Sequence, residues 1–189
     1  MSNKLVLQRI TRTDNRILSD MSVHYSQPKG FVGRNICYAV LFDDVYYGAI
    51  VAGSATRFLP GRNEFLKKFE GWYGLNNIIN NIFYHVEPKN GKYPIRNFTQ
   101  KVLISFMKQA KKDWQNFYGD HVLAFETLVE LPRTGELYKR SGFVETGITK
   151  GFTCKRTAGF GTDSWTGKRV WDTENLRPKR VLMRLALNV

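Results

Sequence analysis

The stretch from 99 to 114 constrains this chain most, because Val102, Leu103, Phe106, Met107, Ala110 and Trp114 recur at three- and four-residue intervals while Lys101, Lys108, Lys111 and Lys112 fall largely opposite. That period predicts an amphipathic helix with one packed and one basic face. It lies between two apolar runs, IINNIFYHV at 78–86 and HVLAFETLV at 121–129, each bounded by turn residues and each predicted to be a buried strand. Upstream, residues 4–10 alternate as a half-buried strand, and Thr13-Asp14 offer N-caps for a short helix holding Ile17, Leu18 and Met21. The runs 36–42 and 46–52 are predicted to form a hairpin across Asp43-Asp44. Residues 57–77 are irregular around a helix over 64–69. Downstream, a short helix at 135–141 stops at Gly142, and further strands are predicted at 144–154 and 181–187. This is an α/β order, and with no repeat and no linker the chain is expected to be a single domain over 1–189.

Composition bears on partners. Twenty-nine Lys and Arg against sixteen Asp and Glu leave a net charge of +13, in a chain whose 14% aromatic content speaks against an unfolded basic tail. The charge serves either solubility or a polyanionic partner such as double-stranded DNA. A basic, aromatic loop at about 150–180 sharpens the second reading: Lys150, Lys155, Arg156, Lys168 and Arg169 alternate with Trp165 and Trp171. Cations meet phosphates and planar faces stack on bases, whereas a solvated loop with two buried Trp is the plainer alternative. Cys37 and Cys154 lack the spacing of a zinc clip and read as free thiols. No apolar window suits a membrane span or a signal peptide, so no membrane partner and a cytoplasmic location are expected; monomer and homodimer both stay open.

The candidate chemistry is spread over four segments. His24 and Tyr25 lie between a helix and a hairpin, where loop residues reach a cleft, and supply a proton-transfer group and a phenolic oxygen. Glu126 interrupts an apolar run, which suits either a salt bridge or a raised-pKa base. Arg96-Asn97, before the long helix, suit either a helix cap or an anion site. His85 reads as a satisfied strand residue and His121 as a surface one.

Leu137-Tyr138-Lys139-Arg140-Ser141-Gly142-Phe143, with Gly147 beyond, resembles the last helix and turn of the GNAT acyltransferase superfamily. The element order agrees across nearly the whole chain, and the resemblance implies a mixed central sheet flanked by helices, with Tyr138 facing the reacting group rather than only packing. It also places Arg96 and Asn97 where these proteins hold the cofactor pyrophosphate. The loop at 89–98 has the single glycine Gly91 in place of a glycine-rich turn, which argues against ordinary acetyl-CoA use and leaves the group donor unknown.

A narrower set of motifs resembles the Mom DNA-modification proteins of phage Mu and relatives: His24-Tyr25-Ser26 before Pro28 and Gly30, Ile95-Arg96-Asn97, Phe125-Glu126-Thr127, and Thr134-Gly135-Glu136-Leu137-Tyr138 followed by Gly147-Ile148-Thr149-Lys150-Gly151. That resemblance implies transfer of a carbamoylmethyl-type group to the N6 amine of adenine in duplex DNA, protecting phage DNA from host restriction. His24, Tyr25, Glu126 and Tyr138 would then be catalytic, and His24, Tyr25 and Glu126 a ligand set for the iron associated with that family. Two alternatives accompany it: an acetyl-CoA-dependent N-acetyltransferase and a non-enzymatic DNA-binding anti-restriction protein.

Overall fold

The computed structural model describes residues 4–26, 28–69, 71, 73–154, 171–172 and 174–186. Strand β1 (Leu5–Ile10) leads into helix α1 (Asn15–Val23), whose first turn is capped by the Asp14 carboxylate accepting the Arg16 N–H at 2.9 Å. Strands β2 (Asn35–Phe42) and β3 (Val45–Ser54) form the expected hairpin. Asp43 and Asp44 both take positive φ, 47° and 62°, the two-residue turn whose twist matches the strands it joins. Helix α2 (Arg62–Leu66) runs into a 3₁₀ turn at Lys67–Phe69. Strand β4 (Ile78–Val86) precedes helix α3 (Phe98–Tyr118), which outruns its predicted end by one turn and stops where Gly119 takes φ 73°.

Strand β5 (Ala124–Glu130), helix α4 (Glu136–Arg140) and strand β6 (Val144–Ile148) follow. The single strand expected over 144–154 is broken. After β6 the chain turns through Gly151 at φ 82°, against the backbone of Arg177 and Pro178, and among the described residues Thr153–Cys154 (β7) pairs only with Trp171–Asp172 (β8). Strand β9 (Lys179–Leu185) then inserts between β5 and β6. The seven-stranded sheet has the order β1-β2-β3-β4-β5-β9-β6, antiparallel except for the parallel β4–β5 pair that α3 connects.

Alternation along the strands gives the sheet two apolar faces. Tyr38, Ile50, Ile79, Phe125 and Leu182 pack with Phe106 and Leu103 of α3. On the other face Cys37, Ala49 and Val51 pack with Ile17 and Met21 of α1, while Ile78, Ala124 and Met183 pack with Leu66 and Phe69. Phe106, Phe125 and Trp114 are essentially inaccessible, and each such side chain contributes about 1.5–3 kcal/mol of burial. Among the described residues no helix is long and apolar enough to cross a membrane.

Candidate functional site

The parallel pairing of β4 with β5 runs only from Ile78 opposite Ala124 to Asn81 opposite Thr127, although both strands continue. The cause is a bulge in β4: Val51 pairs with Phe83 and Ala52 with Asn81, so Ile82 is extra and the strand bends away. Asn81 fastens the bend. Its Nδ2 donates to the Val51 and Phe83 carbonyls at 3.0 and 2.9 Å, its Oδ1 accepts the Tyr138 hydroxyl at 2.6 Å, and its carbonyl accepts the Thr127 hydroxyl at 3.0 Å. The wedge between the strands is a cavity of about 690 Å³.

His24, Tyr25 and Tyr138 line this cavity together, brought there from the end of α1 and from α4. The buried His24 ring packs 4.7 Å from Phe83 and 4.3 Å from Tyr25, centroid to centroid, and its Nδ1 accepts the Ser26 N–H at 3.2 Å with the Ser26 hydroxyl 2.8 Å away. Burial pushes its pKa down, and His85 adds to the effect. Tyr25 lies under the Arg133 guanidinium, 3.5 Å from the ring centre. Burial raises the Tyr138 hydroxyl well above the ordinary phenol range, so it keeps its proton at neutral pH.

Glu126 does not join them. It is fully buried, it is not among the residues lining the cavity, and both its oxygens are used: Oε1 accepts the Thr56 N–H at 2.7 Å, and Oε2 accepts Arg62 Nε at 3.0 Å and Nη2 at 2.7 Å. Arg62, 4% exposed, also donates to the carbonyls of Thr56 and Arg57. Burial pushes the Glu126 carboxyl up, against the pull of Arg62 and the Thr56 amide. The carboxylate therefore ties down residues 56–62, and both oxygens that the His24–Tyr25–Glu126 set expected for iron would draw on are engaged there. Among the described residues no group of three or more His, Cys, Asp or Glu could hold a metal ion.

Three lining residues escaped the sequence reading. Glu130, at the end of β5, is half-buried in the cavity with no side-chain hydrogen bond or ion pair among the described residues. Asn80, 4% exposed, donates to Thr56 Oγ1 at 3.0 Å, and its Oδ1 has no partner among the described residues. Arg133 completes the set. The available signal was the amide pair Asn80-Asn81 inside an otherwise apolar run, too polar for a strand of pure packing function.

Arg96 and Asn97 stand before α3 as expected. Asn97 caps the helix from the left-handed region, φ 57° and ψ 31°, and its side chain makes no capping hydrogen bond, so the first-turn N–H groups of a 21-residue helix lack a side-chain acceptor. Of the residues expected on DNA, Lys150 lines a second cavity of about 980 Å³. Lys155, Arg156, Trp165, Lys168 and Arg169 lie outside the described residues, as does the Trp171 side chain.

Three solved structures are similar over nearly their whole lengths. An acetyltransferase from Bacillus subtilis, in complex with CoA, superposes with a TM-score of 0.56 at 13% identity, covering 95% of this chain and 97% of that one. A GNAT family acetyltransferase from Elizabethkingia anophelis, with acetyl-CoA bound, gives 0.55 at 13% identity, covering 98% and 99%. RimL, a ribosomal L7/L12 alpha-N-protein acetyltransferase in its apo form, gives 0.54 at 10% identity, covering 98% and 95%. At these identities the likeness is one of fold, and the fold is that of the GNAT acetyltransferases. No family model and no curated protein matches the chain, so the narrower Mom resemblance rests on its short motifs alone.

Proposed function

We propose that this protein is a coenzyme A-dependent N-acyltransferase that passes an acyl group to an amine held between β4 and β5. The observation that carries the reading is the wedge opened at Asn81 and Thr127, with the Tyr138 hydroxyl across it, in a fold shared with acetyltransferases solved with CoA and acetyl-CoA. The residues present fit that cofactor: the first turn of α3, without a side-chain cap and flanked by Arg96, suits its phosphates despite the single Gly91. When bound, it would supply an acyl group activated as a thioester. Glu130, a half-buried carboxylate of the cavity with no side-chain hydrogen bond or ion pair among the described residues, takes the proton that the acceptor amine loses. Asn80 Oδ1 accepts one of that amine's N–H bonds, and the Tyr138 hydroxyl, which keeps its proton at neutral pH, supplies the proton that the departing CoA thiolate would take up.

Calorimetric titration with acetyl-CoA tests the cofactor, and CoA release in the presence of candidate amines tests turnover. Binding is expected, with Tyr138→Phe and Glu130→Gln each lowering kcat about 10²-fold while acetyl-CoA affinity holds. Absence of heat with both acetyl-CoA and CoA would defeat the reading. A second reading, addition of a carbamoylmethyl-type group to adenine in DNA, is favoured by the +13 charge. Mass spectrometry of nucleosides from expressing cells tests it, and an unchanged deoxyadenosine would count against it.

A further inference from the structure

The second cavity opens beside the reaction wedge and shares Thr56, Leu128 and Lys179 with it. Four cations line it, Arg57, Lys150, Arg177 and Lys179, and none of its described lining residues is acidic. None of the four makes an ion pair with a carboxylate among the described residues, although Glu130 stands opposite Lys179 in the β5–β9 register. Four like charges around one hollow repel one another unless an anion fills it, and a single carboxylate would leave most of that repulsion in place. The same hollow presents large apolar rings to solvent, Phe58 at 80% and Phe152 at 47% exposure, with the Arg57 guanidinium 5.2 Å from the Phe58 ring centre. Exposed rings beside cations suit a ligand that is flat and apolar at one end and multiply anionic at the other.

The wall is also pre-set. Arg57 and Phe58 belong to the segment that Glu126 and Arg62 grip by its backbone, through the Thr56 N–H and the carbonyls of Thr56 and Arg57. That gives the fully buried ion pair a purpose, since a rigid wall loses less entropy when a ligand binds. Thr56, pinned at both backbone atoms, is where the two cavities meet, and Asn80 with its unpartnered oxygen sits against it.

We propose that this second cavity binds a nucleoside phosphate, with the phosphate on Arg57, Arg177 and Lys150 and the base against Phe58 and Phe152. Under the acyl-transfer reading, on which this assignment of role rests, that nucleotide is the acceptor, its amine reaching Asn80 and Glu130 through the junction at Thr56. The chemistry is common to a free mononucleotide and to one nucleotide of a strand.

Thymidine 5′-monophosphate is the probe, because it has no exocyclic amine and resembles no part of CoA beyond its phosphate. Titrated calorimetrically into the full chain, it is expected to bind at least about tenfold tighter than thymidine and to bind equally in the presence of saturating CoA. Arg57→Gln and Arg177→Gln should each weaken it, and together by about tenfold or more, while Lys108→Ala on the exposed face of α3 changes nothing. Both arginines are exposed, so the variants should melt as the wild type does. A short oligothymidylate distinguishes the sources: affinity equal to that of the mononucleotide assigns a free nucleotide, and much tighter, steeply salt-dependent binding assigns a strand. Equal affinity for nucleoside and nucleotide, variants that bind like wild type, or displacement by CoA would each overturn the proposal. The titration needs no turnover, so it stands or falls apart from acetyl-CoA binding.

Discussion

Replacing Arg62 by Leu separates a structural role for Glu126 from a chemical one. The substitution removes both Arg62 contacts to a fully buried carboxylate, among the described residues the only cation on it, so that Glu126 keeps the Thr56 N–H alone, and it also takes the donor from the Thr56 and Arg57 carbonyls. Breaking a buried pair from one side costs about 3–5 kcal/mol, because the remaining charge is stranded without water. In a chain of this length that corresponds to a fall in Tm of about 6–20 °C. Glu126→Leu in the same background removes the stranded charge and should return at least about 2 kcal/mol.

The loss should also depend on pH, with a definite sign. Without Arg62 the folded-state pKa of Glu126, already raised by burial, rises further above its unfolded value, so the folded state binds the extra proton. The deficit relative to wild type is then smallest at acid pH, where both folded states hold the proton, grows as pH rises from the already raised folded-state pKa of wild-type Glu126 to the higher one of the variant, and levels off above that. Thermal and urea unfolding followed by circular dichroism at pH 4, 6 and 8 would measure it. A loss below about 1 kcal/mol, a loss independent of pH, or a double variant no more stable than the single one would refute the assignment. If Glu126 were the proton acceptor instead, the double variant would regain stability and show no turnover.

Other perturbations test the surrounding parts. Asn81→Leu leaves the Val51 and Phe83 carbonyls and the Tyr138 hydroxyl without their partner and should cost about 2–4 kcal/mol in urea unfolding, with Tyr138→Phe restoring part of it. Gly61→Ala puts a Cβ at φ 73° onto the Thr146 carbonyl; a loss of about 1–3 kcal/mol is expected, together with weaker nucleotide binding, because the 56–62 wall must shift off β6. Asp14→Ala should cost about 1 kcal/mol as a lost N-cap. Arg16 holds the Asp14 carboxyl down at about 2, so its stabilisation is present above its unfolded value of 3.8 and is lost as pH falls toward 2; Asp14→Ala should remove that part of the acid-unfolding curve.

What the sequence alone determined is what neighbours within a few residues decide. The period of 99–114 compels an amphipathic helix, Asp43-Asp44 can only be the apex of a tight hairpin, and Gly142 before Phe143 ends α4, where the Gly142 and Phe143 N–H groups bond back to the Lys139 and Tyr138 carbonyls. With the Tyr-Gly-Phe motif these were enough for an α/β order of GNAT type, and for placing His24, Tyr25 and Tyr138 around one cleft. Only the tertiary structure decided what each polar group does there. Glu126 and Arg62 are 64 residues apart, and nothing local says that an arginine from α2 will consume the carboxylate that interrupts β5. Glu130, four residues further on, looks no different in the sequence, yet it lines the cavity where β4 and β5 have parted and makes no ion pair among the described residues, although Lys179 of β9 stands opposite it in register. That ending depends on one extra residue in β4, registered against β3, and the return of β9 between β5 and β6 likewise depends on which strand edges are left open. Helix periods and turn signals are written in short-range sterics; which charge is neutralised and which is left facing a cavity is fixed by strand register, a property of pairs of segments rather than of either one.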